Sequence, residues 1–202
     1  MSTVTAEPTG TAAGRTLTAR ERLLQAADEL FYAEGINTVG IDRVIEHAGV
    51  AKASLYSAFG SKDGLIRAYL LRRHELRVAR IQRHLAKHTD PRARMLAVFD
   101  SFDELIHSPA WRGCPFIAAT GEARTDATVN EVAAITRDFT RKCFADEAAD
   151  LAIADPAGLA DQLVLLYDGA VVAAQSRVDT LAAQRARAMA ELVIDNAERG
   201  PA

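Results

Sequence analysis

The sequence predicts an all-α protein of about nine helices, on the strength of hydrophobic periodicity, punctuation and composition. Apolar residues recur at helical spacing from Leu23 almost to the end of the chain, and no segment alternates with period two long enough to demand a strand. Alanine, the strongest helix former, is abundant. Gly, Asp-Pro and Ser-Pro steps cut the chain into pieces of helical length.

Residues 1–16 are rich in Thr, Ala and Gly without periodicity and read as a flexible tail. Arg15, Arg20 and Arg22 bring positive charge nearby, read as solvated, with phosphate contact as the alternative. Thr18-Ala19-Arg20-Glu21 has capping-box spacing and opens the first helix, which Gly35 ends. Leu23, Leu24, Ala27, Leu30 and Phe31 form its apolar face. A short second helix is expected over 41–48, with Ile41, Val44 and Ile45 inward. Gly49 permits a turn, and a short third helix spans 52–59, anchored by Leu55 and Phe59. Gly60 stops it, and Ser61 caps a long Arg-rich fourth helix over 62–87, closed by Asp90-Pro91. Further helices are expected over 92–107, 114–123, 127–150, 157–178 and 181–198. The organisation expected is a tail (1–16), a three-helix unit (17–63) and a larger helical domain (64–202).

The 202 residues suffice for a small domain plus a larger one, and the apolar fraction of 49% is too high for disorder. With a net charge of −3, any nucleic-acid contact must come from a local patch. Two cysteines, Cys114 and Cys143, lie outside any metal-ligand spacing and favour a reducing compartment. The start lacks a signal-peptide apolar region, and no uninterrupted apolar run approaches the roughly 20 residues of a membrane span. A soluble cytoplasmic protein without cofactor, metal or membrane partner is the expectation. His47, His74, His84, His88 and His107 do not pair with carboxylates at ligand spacing. His84 and His88, an i,i+4 pair, read as a solvated face. No Gly-rich phosphate loop, G-x-S-x-G motif or paired acid–base constellation argues for an enzyme.

Two short helices joined by a Gly turn, steadied by an earlier helix, make a helix-turn-helix, whose second helix enters the DNA major groove. The composition of 50–62 suits that role: small and hydroxyl residues, Lys52 and Lys62 at the ends, and no carboxylate. Ser54 and Ser57 can hydrogen-bond bases, Ala53 can meet a thymine methyl, and Tyr56 can reach a phosphate. Arg43 is a further phosphate candidate, with plain solvation as the competing reading. A helical hairpin with small residues for close packing would share the silhouette.

Ala26-Ala27, Leu30-Phe31, Gly35, Ile41, Ile45, Ala48-Gly49-Val50, Ser54-Leu55-Tyr56, Phe59, Ser61-Lys62 and Leu65 resemble the DNA-binding domain of TetR-family transcriptional regulators. The resemblance covers about a quarter of the chain and implies DNA contacts from Lys52, Ala53, Ser54, Tyr56, Ser57 and Lys62. Tyr56 and Lys62 would meet phosphates; Lys52 and Ser54 would lie nearer the bases. Val39-Gly40 departs from the family pattern, since the hydroxyl that usually opens the second helix is missing. Thr38 is a substitute, and Asp42 is expected to cap that helix.

The resemblance further implies a homodimeric repressor on a double-stranded, near-palindromic operator, released by a small-molecule effector bound in the larger domain. The long fourth helix would be the lever between domains. Trp111-Arg112-Gly113-Cys114-Pro115-Phe116-Ile117-Ala118-Ala119 resembles a recurrent piece of the family near its pocket. Expected pocket residues are Phe99, Phe102, Trp111, Phe116 and Thr120, together with Phe139, Tyr167, Val171 and Gln175. Plain core or interface packing competes at each. Expected dimer contacts are Leu159, Leu163, Leu166 and Ala170, with Met189 and Leu192 from the last helix. Cys114 as a redox sensor competes with Cys114 as a buried core residue, the reading preferred. A helical oligomerisation module that never touches DNA is the rival function.

Overall fold

The computed structural model describes residues 16–175 and 179–199. The expected tail with Arg15, the last turn of the expected 157–178 helix, and residues 200–202 lie outside them. The described residues form α1 (Ala19–Glu34), α2 (Ile41–Ala48), α3 (Lys52–Phe59), α4 (Lys62–Leu85), α5 (Pro91–Ile106), α6 (Pro115–Glu122), α7 (Ala127–Ala149), α8 (Pro156–Gln175) and α9 (Ala182–Arg199), with no strand among them.

Local chemistry sets most helix starts. Thr18 and Glu21 form the reciprocal capping box of α1. Ser61 accepts from Gly64 N at 3.0 Å to open α4, and Asp126 accepts from Val129 N at 2.9 Å to open α7. Asp90 marks more than the end of α4: its carboxylate accepts from Ala93 N at 2.8 Å and starts α5, with Pro91 in its first turn. The expected cap of α2 is absent. Its N-cap is Gly40, neither Thr38 nor Asp42 bonds the helix start, and Asp42 turns instead to Lys52.

α1, α2 and α3 close over a small core of Leu23, Ala27, Val39, Val44, Ala48 and Leu55. The first turns of α4 complete it, with Leu65 and Tyr69 buried and Tyr69 edge-on to Phe31 at 5.6 Å. The expected division at 63/64 therefore runs through a helix whose start packs on α1. Arg20 and Arg22 are exposed, and each also makes a contact: Arg20 lies over the Phe59 ring, and Arg22 Nη1 donates to Gly49 O at 3.2 Å.

The larger region packs α8 against α7 and α9, α5 against α7 and α9, and α4 against α5 and α7. Its centre is an aromatic cluster in which Tyr167 lies 5.5 Å from Phe102 and 6.0 Å from Phe99. Burying each such side chain contributes roughly 1.5–3 kcal/mol. His84 belongs to this interior, 7% exposed and 2.7 Å from Glu104 Oε2, so the expected solvated face is wrong for it. Helix α8 is long and apolar enough by composition to cross a membrane, yet 44% of that stretch is buried against its neighbours. Leu159, Leu163 and Ala170 face this core, which removes them from the expected dimer surface. The opposite face exposes Leu165 (66%) and Val172 (61%), with Met189 (50%) and Leu192 (60%) exposed on α9.

Candidate nucleic-acid interface and interior cavity

At eight residues, α3 is too short to hold itself together in water. Leu55, fully buried, and the partly buried Phe59 tie it to α1 and α4. The turn before it needs Gly49, whose φ of 60° and ψ of 44° are left-handed. Gly49 N donates to Glu46 O at 3.0 Å and Val50 N to Ile45 O at 3.3 Å, closing the end of α2. With Leu55 inward, helical spacing turns Lys52, Ala53, Tyr56 and Ser57 outward together. All four are exposed, while Ser54 is half-buried at the edge of that face. Lys62, half-buried, follows at the start of α4.

The cations of this surface have partners already. Lys52 Nζ lies 2.8 Å from Asp42 Oδ1, and Arg43 Nη2 donates to Glu34 Oε1 at 2.7 Å. The Asp42 hydrogen bond and charge hold Lys52 above its ordinary pKa, and Glu34 does the same for Arg43. A DNA phosphate would have to replace these carboxylates. Their exposure makes the exchange inexpensive, because surface ion pairs are worth little.

Between α4, α6, α7 and α8 lies a cavity of about 300 Å³. Phe116, Ile117, Ala133, Val171 and Val172 provide its apolar wall, and Arg77, Arg137 and Asp168 its charges. Of the residues expected at a pocket, Phe116, Thr120 and Val171 line it. Phe99, Phe102 and Tyr167 do not; they fill the aromatic core behind it. Trp111 packs edge-on to Phe102 and lines a separate hollow near Pro109 and Thr180. Phe139 meets the His74 ring at 5.7 Å. Gln175 Oε1 accepts from Cys114 N at 2.6 Å and anchors the start of α6.

Arg77, Arg137, Asp168, Thr136 and Cys114 are cavity residues that sequence reasoning missed. A signal for Arg77 existed. It falls between Leu70 and Ile81 on the stripe of α4 that faces the core, where a solvated arginine has no place. Cys114 is buried at 3% exposure and accepts from Arg77 Nη2 at 3.6 Å. Burial pushes the other thiol, Cys143, up to about 11, which leaves it inert as a nucleophile near neutral pH.

Helix α6 touches both places. Phe116, Ile117 and Thr120 line the cavity, and Glu122 at its end accepts from Asn37 N at 2.8 Å in the α1–α2 connection. Asn37 Nδ2 donates to the Glu122 carbonyl at 2.8 Å. A Cβ at Gly35 would stand 2.6 Å from Glu122 Oε1, so the side chain and the helix end fit closely. Before α6, the Tyr32 hydroxyl donates to Gly113 O at 2.9 Å and accepts from Arg112 N at 3.0 Å.

Residues 23–69 match the family model for the amino-terminal domain of bacterial regulatory proteins of the tetR family. A solved TetR-family transcriptional regulator from Streptomyces coelicolor is 33% identical over 89% of this chain and 90% of its own, with a TM-score of 0.82. This chain belongs to the TetR family. A second solved TetR-type protein, from Streptomyces avermitilis, is 32% identical over 90% of this chain and 99% of its own (TM-score 0.80). Among curated relatives, the HTH-type transcriptional activator FasR of Mycolicibacterium smegmatis is 37% identical over 43% of this chain and 40% of its own length. The HTH-type transcriptional repressor BdcR of Escherichia coli is 43% identical over 23% of this chain and 24% of its own. The chain thus aligns with less than half the length of these curated relatives. TetR-family proteins are transcriptional regulators, and α1 to α3 are this chain's version of their helix-turn-helix.

Proposed function

We propose that this TetR-family protein is a homodimeric, ligand-responsive repressor that leaves a near-palindromic operator when a small amphipathic molecule enters the α4–α6–α7–α8 cavity. The supporting observation is α6, one rigid piece with its flank on the cavity and its end on the helix-turn-helix. A ligand that spreads the cavity shifts α6, and Glu122 passes the shift to the α1–α2 connection. Ligand binding moves the equilibrium only by its preference for one arrangement over the other. The expected lever α4 contributes through Arg73, whose Nε lies 2.6 Å from Asp28 Oδ1 on α1.

Lys52, Ala53, Tyr56 and Ser57 would face the major groove, with Ser54 at its edge and Lys62 and Arg43 on phosphates. Two subunits would meet through the exposed stripe of Leu165 and Val172 on α8 and Met189 and Leu192 on α9, with half-buried Leu166 beside it. An apolar stripe of this kind on two adjacent helices marks an association surface. Repression follows if the operator overlaps the promoter. FasR is named an activator and BdcR a repressor, so a promoter–reporter assay must read the sign.

Fluorescence anisotropy against DNA from just upstream of the protein's own gene, followed if necessary by selection from random DNA, tests the reading. Binding should fall steeply with salt and be lost in Lys52→Glu. Failure on both DNA sources would leave a helical oligomerisation module as the better description.

A further inference from the structure

We infer that the ligand of this cavity is an organic anion, an amphipathic molecule with a carboxylate or equivalent acidic head held by Arg77. The inference deepens the ligand-responsive reading and rests on it for biological meaning, although the binding site stands on its own geometry. Arg77 lines the cavity from the core-facing stripe of α4 and is half-buried. Among the described residues, no carboxylate comes within ion-pair distance of it. Its neighbours are soft: the Cys114 sulfur at 3.6 Å and the face of Phe116 at 5.1 Å. A half-buried guanidinium held by a sulfur and a ring, with no hydrogen-bonded carboxylate, keeps donors that an entering anion can take.

The surroundings reinforce the same sign. The one carboxylate on the wall, Asp168, pairs with Arg137 Nε at 3.0 Å and reaches Arg77 only as a longer-range charge. Behind Arg77, Arg80 is buried beside Tyr167, and burial pushes its pKa down. Arg80 meets the Tyr167 hydroxyl in a contact too poorly aligned for a full hydrogen bond. Two guanidinium groups therefore sit on the α4 side of the cavity, with Asp168 and Glu104 acting on them only at longer range. The wall hydroxyls add no competing demand, since Thr120 donates to Phe116 O at 2.8 Å and Thr136 to Val132 O at 2.9 Å. Elsewhere on the wall Ile117, Ala133 and Val171 offer apolar surface, and Val172, 61% exposed, stands where the cavity meets solvent. A head-and-body ligand matches this division, with the charge-assisted bond fixing orientation and the apolar body supplying affinity.

The test is isothermal titration calorimetry of the full chain with three acids (decanoate, 4-phenylbutyrate and indole-3-acetate) and the neutral primary amide of each. At least one acid should bind about tenfold or more tightly than its amide, the usual worth of a hydrogen bond to a charged group. Arg77→Gln, checked by thermal melting for an intact fold, should reduce that ratio to about threefold or less. Arg77→Lys, which keeps the charge and loses the fork, should retain part of the preference if the glutamine variant does not fold. Equal or tighter binding of all three amides, no binding of any acid at millimolar concentration, or an acid preference that survives Arg77→Gln in a folded protein would each overturn the assignment. Anisotropy on operator DNA with the same samples separates the two claims. Acid preference without DNA release supports the anion site and sinks ligand-responsive repression. DNA release by the amides alone sinks the anion site and leaves the regulator.

Discussion

Helices α3 and α8 make opposite use of the same helical geometry. α3 is short, fully buries one residue, Leu55, half-buries Ser54, Ala58 and Phe59, and turns Lys52, Ala53, Tyr56 and Ser57 to solvent. α8 is 20 residues long, buries eight of them, and still exposes Leu165 and Val172. In α3 the candidate function lies on the outer face, so substitutions there should change DNA affinity and spare the fold. In α8 the core-packed face and the face proposed for association lie on opposite sides of one helix, so the effect of a substitution depends on where its side chain points.

The largest expected effect breaks the core face of α8. Leu163→Glu places an uncompensated charge at a fully buried site and should cost more than about 4 kcal/mol, seen as loss of the cooperative thermal transition by circular dichroism. Two residues on, Leu165→Glu should leave the melting of the protomer intact while converting dimers to monomers by light scattering. If Leu165→Glu stays dimeric, the exposed stripe is not the association surface.

On α3, Lys52→Glu should weaken operator binding about tenfold or more and reduce the slope of log affinity against log salt by about 1, with unchanged melting. A smaller effect should follow from Glu122→Ala, which removes the side-chain bond to Asn37 N. It should cost about 1–2 kcal/mol of stability and blunt ligand-induced DNA release, while operator affinity without ligand holds. Unaltered release in this variant would take α6 out of the signalling route. The smallest change has the opposite sign. Asp42→Asn frees Lys52 for DNA and should tighten binding about twofold to fivefold by anisotropy, the range of an exposed ion pair.

The legibility of the two helices in the sequence follows the same division. Helix ends at Thr18, Ser61 and Asp126 depend on side-chain contacts within a few residues, so local spacing reveals them. The cap expected from Asp42 failed because Lys52, ten residues on, competed for the carboxylate. Most of the expected pocket and dimer residues are apolar, a property that core, cavity wall and association surface share. Phe99 and Leu163 belong to the core, while Arg77, one of three charged residues on the cavity wall, is not distinguished in the sequence from the other arginines of α4 by charge alone.

The sequence by itself determined the all-helical class, the order and approximate bounds of the helices, and the helix-turn-helix with its outward residues. Each of these rests on interactions between neighbours in the chain or on periodicity along one helix. Only the tertiary structure decided which face of α8 meets the core, that α6 joins the cavity to the α1–α2 connection, and that Arg77 lines that cavity without a carboxylate in ion-pair contact. Those features depend on how α4, α6, α7 and α8 pack across long sequence separations, where small differences in helix rotation decide what becomes buried, exposed or left beside a cavity.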